Sequence, residues 1–146
     1  MYFQLTEDRD GPDARAVGEN LSRHRTQALG AAPVHQPLVL LHHGPDGALL
    51  AGLVAEVVLD WLFVEKFWVS EALRGQGVGS AMLAQAEAEA RKRGAVGVHL
   101  YTSSFQAPAF YRRHGFTPLG TLAGRPAGHT RFWFGKRFDG GDPRES

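Results

Sequence analysis

Leu73-Arg74-Gly75-Gln76-Gly77-Val78-Gly79-Ser80-Ala81-Met82-Leu83 sets three alternating glycines after an apolar, strand-like run and at the mouth of a strongly helical stretch. Glycines let successive backbone N–H groups face one point without Cβ obstruction, and the first turn of a helix adds partial positive charge. The combination predicts a cradle for a phosphate or pyrophosphate, with Arg74 adding a formal charge beside it. Two common nucleotide loops do not fit. A Walker loop needs Gly-Lys-Ser/Thr, whereas Gly79 leads into Ser80-Ala81 with no lysine. A dinucleotide fingerprint needs a different glycine spacing and an acidic residue closing the next strand about 20 residues on, and both are missing. The competing reading is a glycine-rich turn that only lets helix and strand pack closely.

Upstream of the loop, Trp61 to Val69 is rich in aromatic and β-branched residues and reads as a strand. Before it, Leu38 to His42 and Ala48 to Leu59 flank His43-Gly44-Pro45-Asp46-Gly47, a good hairpin turn, so three antiparallel strands follow one another. Downstream, Gly77 to Arg93 reads as a helix with Met82, Leu83, Ala86 and Ala90 on its apolar face and Gly94 as its cap. Gln85, Glu87, Glu89, Arg91 and Lys92 face water, acids before bases as the helix dipole favours. Ala95 to Thr102 is the next strand, and the strand–helix–strand order makes it parallel to the one before the loop. Gln106 to His114 forms a short helix, and Phe116 to Leu122 pairs with Thr130 to Phe138 across the loop Ala123 to His129. At the other end, Met1 to Thr6 reads as a short strand and Pro12 to Leu29 as one or two helices, with Val17, Leu21 and Leu29 apolar.

These elements predict an α/β (α+β) fold: a mixed, mostly antiparallel sheet of about seven strands with helices on both faces. One domain is expected over residues 1–138, with a flexible tail at 139–146. A chain of 146 residues, 43% apolar, suits one ordinary core. Sixteen basic against 15 acidic residues leave a net charge of +1, which provides no global field for nucleic acid or an anionic membrane. Cysteine is absent, which excludes disulfides, thiolate metal sites and a cysteine nucleophile, and fits a cytoplasmic protein. The acidic stretch Met1 to Asp13 is the reverse of a targeting peptide, and the longest apolar tract is far short of the roughly 20 residues a spanning helix needs.

The arrangement Val69-x4-Arg74-Gly75-x-Gly77-x-Gly79, with Phe110-Tyr111-x3-Gly115-Phe116 downstream, resembles the GNAT superfamily of N-acetyltransferases. Arg74 to Gly79 looks like that family's pyrophosphate loop, and Ala107 to Phe116 is similar to its Ala-x-x-x-Tyr-x-x-x-Gly-Phe element. The resemblance runs from about Leu49 to Phe138 and is poor before that. It implies the fold just derived, with the strands on either side of the glycine loop parallel and splayed apart. It also implies acetyl transfer from acetyl-coenzyme A to a primary amine.

Under that resemblance the diphosphate would rest on the N–H groups from Gln76 to Ser80, through Gly77, Val78 and Gly79, with Arg74 and Gly75 leading in. The pantetheine arm would pair like an added strand with backbone groups of Phe67, Trp68 and Val69. An N–H of Phe67 or Trp68 would face the thioester oxygen, where negative charge develops. Tyr111 stands where the family places the acid that protonates the leaving thiolate. Many relatives carry Asn seven residues before that tyrosine. Here the position is Ser104, so that contact must come from a hydroxyl or water, with Thr102, Ser103 and Gln106 as neighbours that could compensate, and Ala107 is a further cofactor contact.

An amine arrives mostly as ammonium, so a proton acceptor is needed before attack. Strand alternation puts Glu65 on the face of Phe63, Phe67 and Val69, which makes it the best base, directly or through water; it could instead bind a cationic acceptor. Glu56 is a weaker substitute, and Trp61 and His129 are further acceptor contacts. Trp61, Trp68 and Trp133 otherwise read as core or dimer-face aromatics, and the final strands offer a face through which a homodimer could form. Seven histidines raise a metal site, but the adjacent His42 and His43 cannot share one strand face and no partner has ligand spacing, so none is expected. Two other activities remain open on the residues alone: a catalytically silent acyl-CoA-binding module, and acetylation of peptide or protein N-termini.

Overall fold

The computed structural model describes residues 1–146. Two compact units, Met1–Val34 and His35–Ser146, are each described by themselves. The first holds one helix, α1 (Pro12–Leu29), which starts with Pro in its first turn and ends at Gly30. Val17, Leu21 and Leu29 are all exposed on it. Met1–Thr6 is exposed and forms no strand, contrary to the sequence expectation. Strand-forming side chains there have no hydrogen-bonded ladder, and local propensity without a paired neighbour does not make a strand.

The second unit is built on one six-stranded sheet: β1 (Gln36–His43), β2 (Leu49–Val58), β3 (Trp61–Val69), β4 (Gly97–Ser103), β5 (Thr117–Ala123) and β6 (Thr130–Arg137). Their spatial order is β1-β2-β3-β4-β6-β5, and every pair is antiparallel except β3–β4. The sheet is therefore the mixed, mostly antiparallel one expected, with six strands where about seven were predicted. The predicted hairpin turn is present: the Gly44 N–H bonds Ala48 O at 2.8 Å, and Asp46 Oδ1 accepts from the Ala48 N–H at 3.0 Å. Leu59 and Asp60, both at positive φ, make the tight turn from β2 to β3.

Helix α2 (Val78–Lys92) carries β3 over to β4, and α3 (Pro108–Arg113) leads from β4 towards β5. The periodicity read from the sequence holds, since Met82, Leu83, Ala86 and Ala90 are the buried residues of α2. They join one core with Leu38, Ala51, Leu53, Ala55, Val57, Leu62, Val64, Val98, Leu100 and Phe134 of the sheet. Each fully buried Leu or Phe of that set contributes about 1.5–3 kcal/mol. The opposite face carries a row of rings: Phe63 stacks on His99 at 5.0 Å, Trp61 meets His99 edge-on, and Arg131 lies 4.2 Å over Tyr101. Burial holds the His99 imidazole below its ordinary range. No helix is long and apolar enough to cross a membrane.

Two features of β3 shape the middle of the sheet. Its ladder with β2 shifts register, Val54 facing Lys66 and Ala55 facing Val64, so Glu65 is the extra residue of a β-bulge. Phe63 consequently pairs with Glu56 while Phe67 pairs with Leu53, on opposite faces of the sheet. Simple alternation would have put Phe63, Glu65, Phe67 and Val69 on one face; the inserted residue reverses the phase half-way along. The second feature is the shortness of the parallel pairing, which covers only Trp61–Gly97, Leu62–Val98 and Phe63–His99. Beyond that point β3 and β4 share no ladder, and the middle of the sheet is open.

Candidate active site

The glycine segment begins where β3 ends. A 3-10 turn (Glu71–Leu73) is closed by the Leu73 N–H donating to Ser70 O at 3.0 Å, and Gln76 Nε2 donates to Ala72 O at 2.9 Å. Arg74 Nε reaches back to Val69 O at 3.2 Å. Gly75 and Gly77 have φ of +77° and +82°, the left-handed region that any other residue enters only with strain. The first backbone bond of α2 runs from the Ala81 N–H to Gly77 O at 3.0 Å, so the amides of Val78, Gly79 and Ser80 have no intrahelical acceptor. The first turn of α2 contains no acidic side chain to claim them. This donor set, free of competing carboxylates and backed by the helix dipole, fits a diphosphate.

Helix α3 is pinned onto this loop. A Cβ at Gly79 would lie 3.5 Å from the Phe110 ring and 3.7 Å from Val69 Cγ2, and Phe110 meets Phe67 edge-on at 6.0 Å. Phe67, Val69, Gly79 and Phe110 are thus gathered at the open end of β3. His114, at the end of α3, completes the junction: its Nδ1 is 2.7 Å from Phe110 O and its Nε2 is 2.8 Å from Ser80 Oγ. The sequence reading missed His114. Its place four residues after Phe110, on the same helical face, was the available signal.

Tyr111 is buried among Phe110, Phe116 and Phe134. Loss of hydration pushes its phenol up to about 12. Its hydroxyl makes no hydrogen bond within the protein, and it is not among the buried side-chain atoms left without a partner, which are Ser70 Oγ and Arg131 Nε. The ring is thus buried while its O–H group is left unengaged by the protein.

At the end of β4, Ser104 Oγ accepts from the Thr130 N–H at 3.0 Å and lies 3.3 Å from His129 Nδ1. The Gln106 carbonyl oxygen accepts from the Ser103 N–H at 3.0 Å and the Thr102 hydroxyl at 3.2 Å. Ala107 is the residue before α3. Glu65 is exposed at the bulge, and Trp68 is 48% exposed on the face away from the α2 core. Glu56 lies on that same face, 3.1 Å from His35 Nδ1, with Trp61 in the ring row. The structure thus brings Phe67, Val69, the glycine loop and α3 together, and separately joins Ser104 with His129. It shows no contact linking Glu56 or Trp61 to either group. No cluster of three or more His, Cys, Asp or Glu side chains is placed to hold a metal ion.

Comparison with known proteins agrees with this geometry. The acetyltransferase (GNAT) domain family matches residues 38–118, which include the glycine loop and Tyr111. An acetyltransferase of Agrobacterium fabrum is 34% identical over 138 residues, covering 94% of this chain and all of the relative. The blasticidin-S acetyltransferase of Streptomyces morookaense is 36% identical over 129 residues, 88% of this chain and 90% of that protein. A crystal structure of an acetyltransferase from Agrobacterium tumefaciens superposes with a TM-score of 0.85 at 34% identity, covering 94% of this chain and 100% of that one. An amide cradle at the start of α2, a sheet opened beside it and relatives of nearly full coverage all agree: the chain belongs to the GNAT family of acetyltransferases.

Proposed function

We propose that this enzyme moves the acetyl group of acetyl-coenzyme A directly onto a primary amine of a small-molecule acceptor. One observation carries the reading: unengaged N–H donors at the start of α2 adjoin the gap between β3 and β4, with Phe110 packed at the same end of β3 and Tyr111 against Phe110. Acetyl-coenzyme A brings the activated thioester, and the rest falls to the chain. Amides from Gln76 to Ser80 hold the diphosphate, with Arg74 and Gly75 shaping the approach. Backbone groups of Phe67, Trp68 and Val69 pair with the pantetheine amides, and one of their N–H groups faces the carbonyl oxygen. Ser104 and Ala107 flank the arm.

Tyr111 serves the leaving sulfur. A phenol held near 12 stays protonated throughout the physiological range, so the donor is always present. Complete transfer to a thiolate whose thiol ionises at roughly 8.5 would be uphill by about 5 kcal/mol, so Tyr111 acts chiefly by hydrogen-bonding the sulfur as charge develops on it. Glu65, exposed at the bulge, takes the ammonium proton through water, and the second proton, shed by the nitrogen after attack, passes to the departing thiolate so that coenzyme A leaves as the thiol. Glu56, Trp61 and His129 border the acceptor. A small-molecule acceptor is favoured because a relative covering most of this chain is a blasticidin-S acetyltransferase.

The test is release of free thiol from acetyl-coenzyme A over a panel of blasticidin-S, polyamines and peptides with free N-termini. N-acetylation of a small amine is expected, with Tyr111→Phe, which removes a donor to the developing charge, lowering kcat about 10²-fold while coenzyme A still binds. Acetylation of peptide N-termini alone would overturn the acceptor class. Unchanged turnover in the Phe variant would overturn the role of Tyr111.

A further inference from the structure

The diphosphate cradle contains a side-chain device that neither the family resemblance nor the comparisons assign. Ser80 occupies the third position of α2 and its hydroxyl is bonded to the His114 imidazole, which in turn is fixed to the Phe110 carbonyl. A carbonyl oxygen only accepts, so Nδ1 carries a proton in either charge state of the ring. That leaves Nε2 to decide the sense of the second bond. With a neutral ring, Nε2 accepts and the Ser80 proton is spent on it. With a charged ring, Nε2–H donates to Ser80 Oγ, and the Ser80 proton is released to point elsewhere.

We propose that His114 is a positioning residue for the diphosphate, which binds best to the charged imidazole because that state turns the Ser80 hydroxyl into a donor towards the anion. The inference rests on the cradle reading. Anion binding and proton uptake by His114 then reinforce one another. On β6, Lys136 donates to His114 O at 2.9 Å and is ion-paired with Glu87 of α2, so those two charges offset each other. On α3 itself, Arg112 lies over the Phe132 and Phe134 rings, and Arg113 and the phenol of Tyr111 do not change charge between about pH 5 and 8. The ring of Phe110 lies against His114, centroids 4.2 Å apart and tilted by 33°, and limits its rotation.

The sign is set by linkage. If the bound complex holds the proton more tightly than the free enzyme, affinity is greatest below the free-state ionisation and is lost as pH rises through the bound-state one. The probe is 3′-dephospho-coenzyme A, because a terminal phosphomonoester would itself titrate near pH 6 whereas a diphosphate diester would not. Calorimetry in buffers of different ionisation enthalpy should show proton uptake on binding. Its Kd should tighten about three- to tenfold from about pH 8 to about pH 6. His114→Gln should flatten that profile at the value the wild type shows at high pH. Ser80→Ala keeps the charge but loses the turned hydroxyl, and should shrink the slope without abolishing it. A histidine that only braced α3 against α2 would, when replaced, weaken binding by one factor at every pH and leave the slope intact; that result overturns the proposal. A wild-type Kd independent of pH overturns it too while leaving the cradle standing. Absence of binding at any pH would overturn the cradle reading itself.

Discussion

Tyr111 shows how one residue can bear on both stability and chemistry. Its phenol ionises at about 12 in the folded protein against an ordinary 10, because the ring sits among Phe110, Phe116 and Phe134. A raised phenol favours the folded state wherever both states keep the proton, and that advantage drains away once the unfolded chain ionises and the folded one still resists. The stabilising effect is therefore complete below about pH 10 and is lost as pH climbs towards 12, a swing on the order of 3 kcal/mol. Tyr111→Phe keeps the ring and has no proton to lose. Thermal melts at about pH 9 and about pH 11.5 should show a steeper alkaline fall in Tm for the wild type than for the variant. Equal falls would mean that the phenol is less desolvated than its packing implies. The residue type and its place in the motif were legible in the sequence. Its desolvation was not, because that depends on Phe134, which lies 23 positions away in the chain.

Among the elements, the sequence was clearest where a single period runs uninterrupted. Helix α2 buries the four residues its spacing named, and the β1–β2 hairpin turns on the segment identified for it. β3 was legible as a strand but not in phase, since nothing in Trp-Leu-Phe-Val-Glu-Lys-Phe-Trp-Val marks Glu65 as an inserted residue; the bulge is set by pairing with β2. Junctions between elements were equally hidden. Gly97 opens β4, and a Cβ there would overlap the Lys136 carbonyl oxygen and the Trp61 ring. Gly97→Ala should therefore force β4 away from both β3 and β6. The expected loss is about 2 kcal/mol or more, read as a lower urea midpoint with an unchanged m-value. A neutral result would show that the strands can separate there without penalty.

At the scale of the whole molecule, the glycine segment carried most of the information about fold and site, because its two demands, left-handed backbone and a helix start, can be read locally. The first third carried least. Tyr2, Phe3 and Leu5 have the composition of a strand but no ladder, and Val17, Leu21 and Leu29 make an apolar stripe on α1 that stays exposed. Composition records preference, whereas pairing and burial are long-range outcomes.

Because β3 and β4 pair over so short a stretch, peptide protons on either side of the opening lack the shielding that a continuous ladder provides. They should exchange with heavy water sooner than their neighbours in β2. Saturation with coenzyme A should slow deuterium uptake in segments 65–69 and 100–103 and leave the outer strands β1 and β5 unchanged. An identical uptake pattern with and without the nucleotide thiol would mean that the arm lies elsewhere.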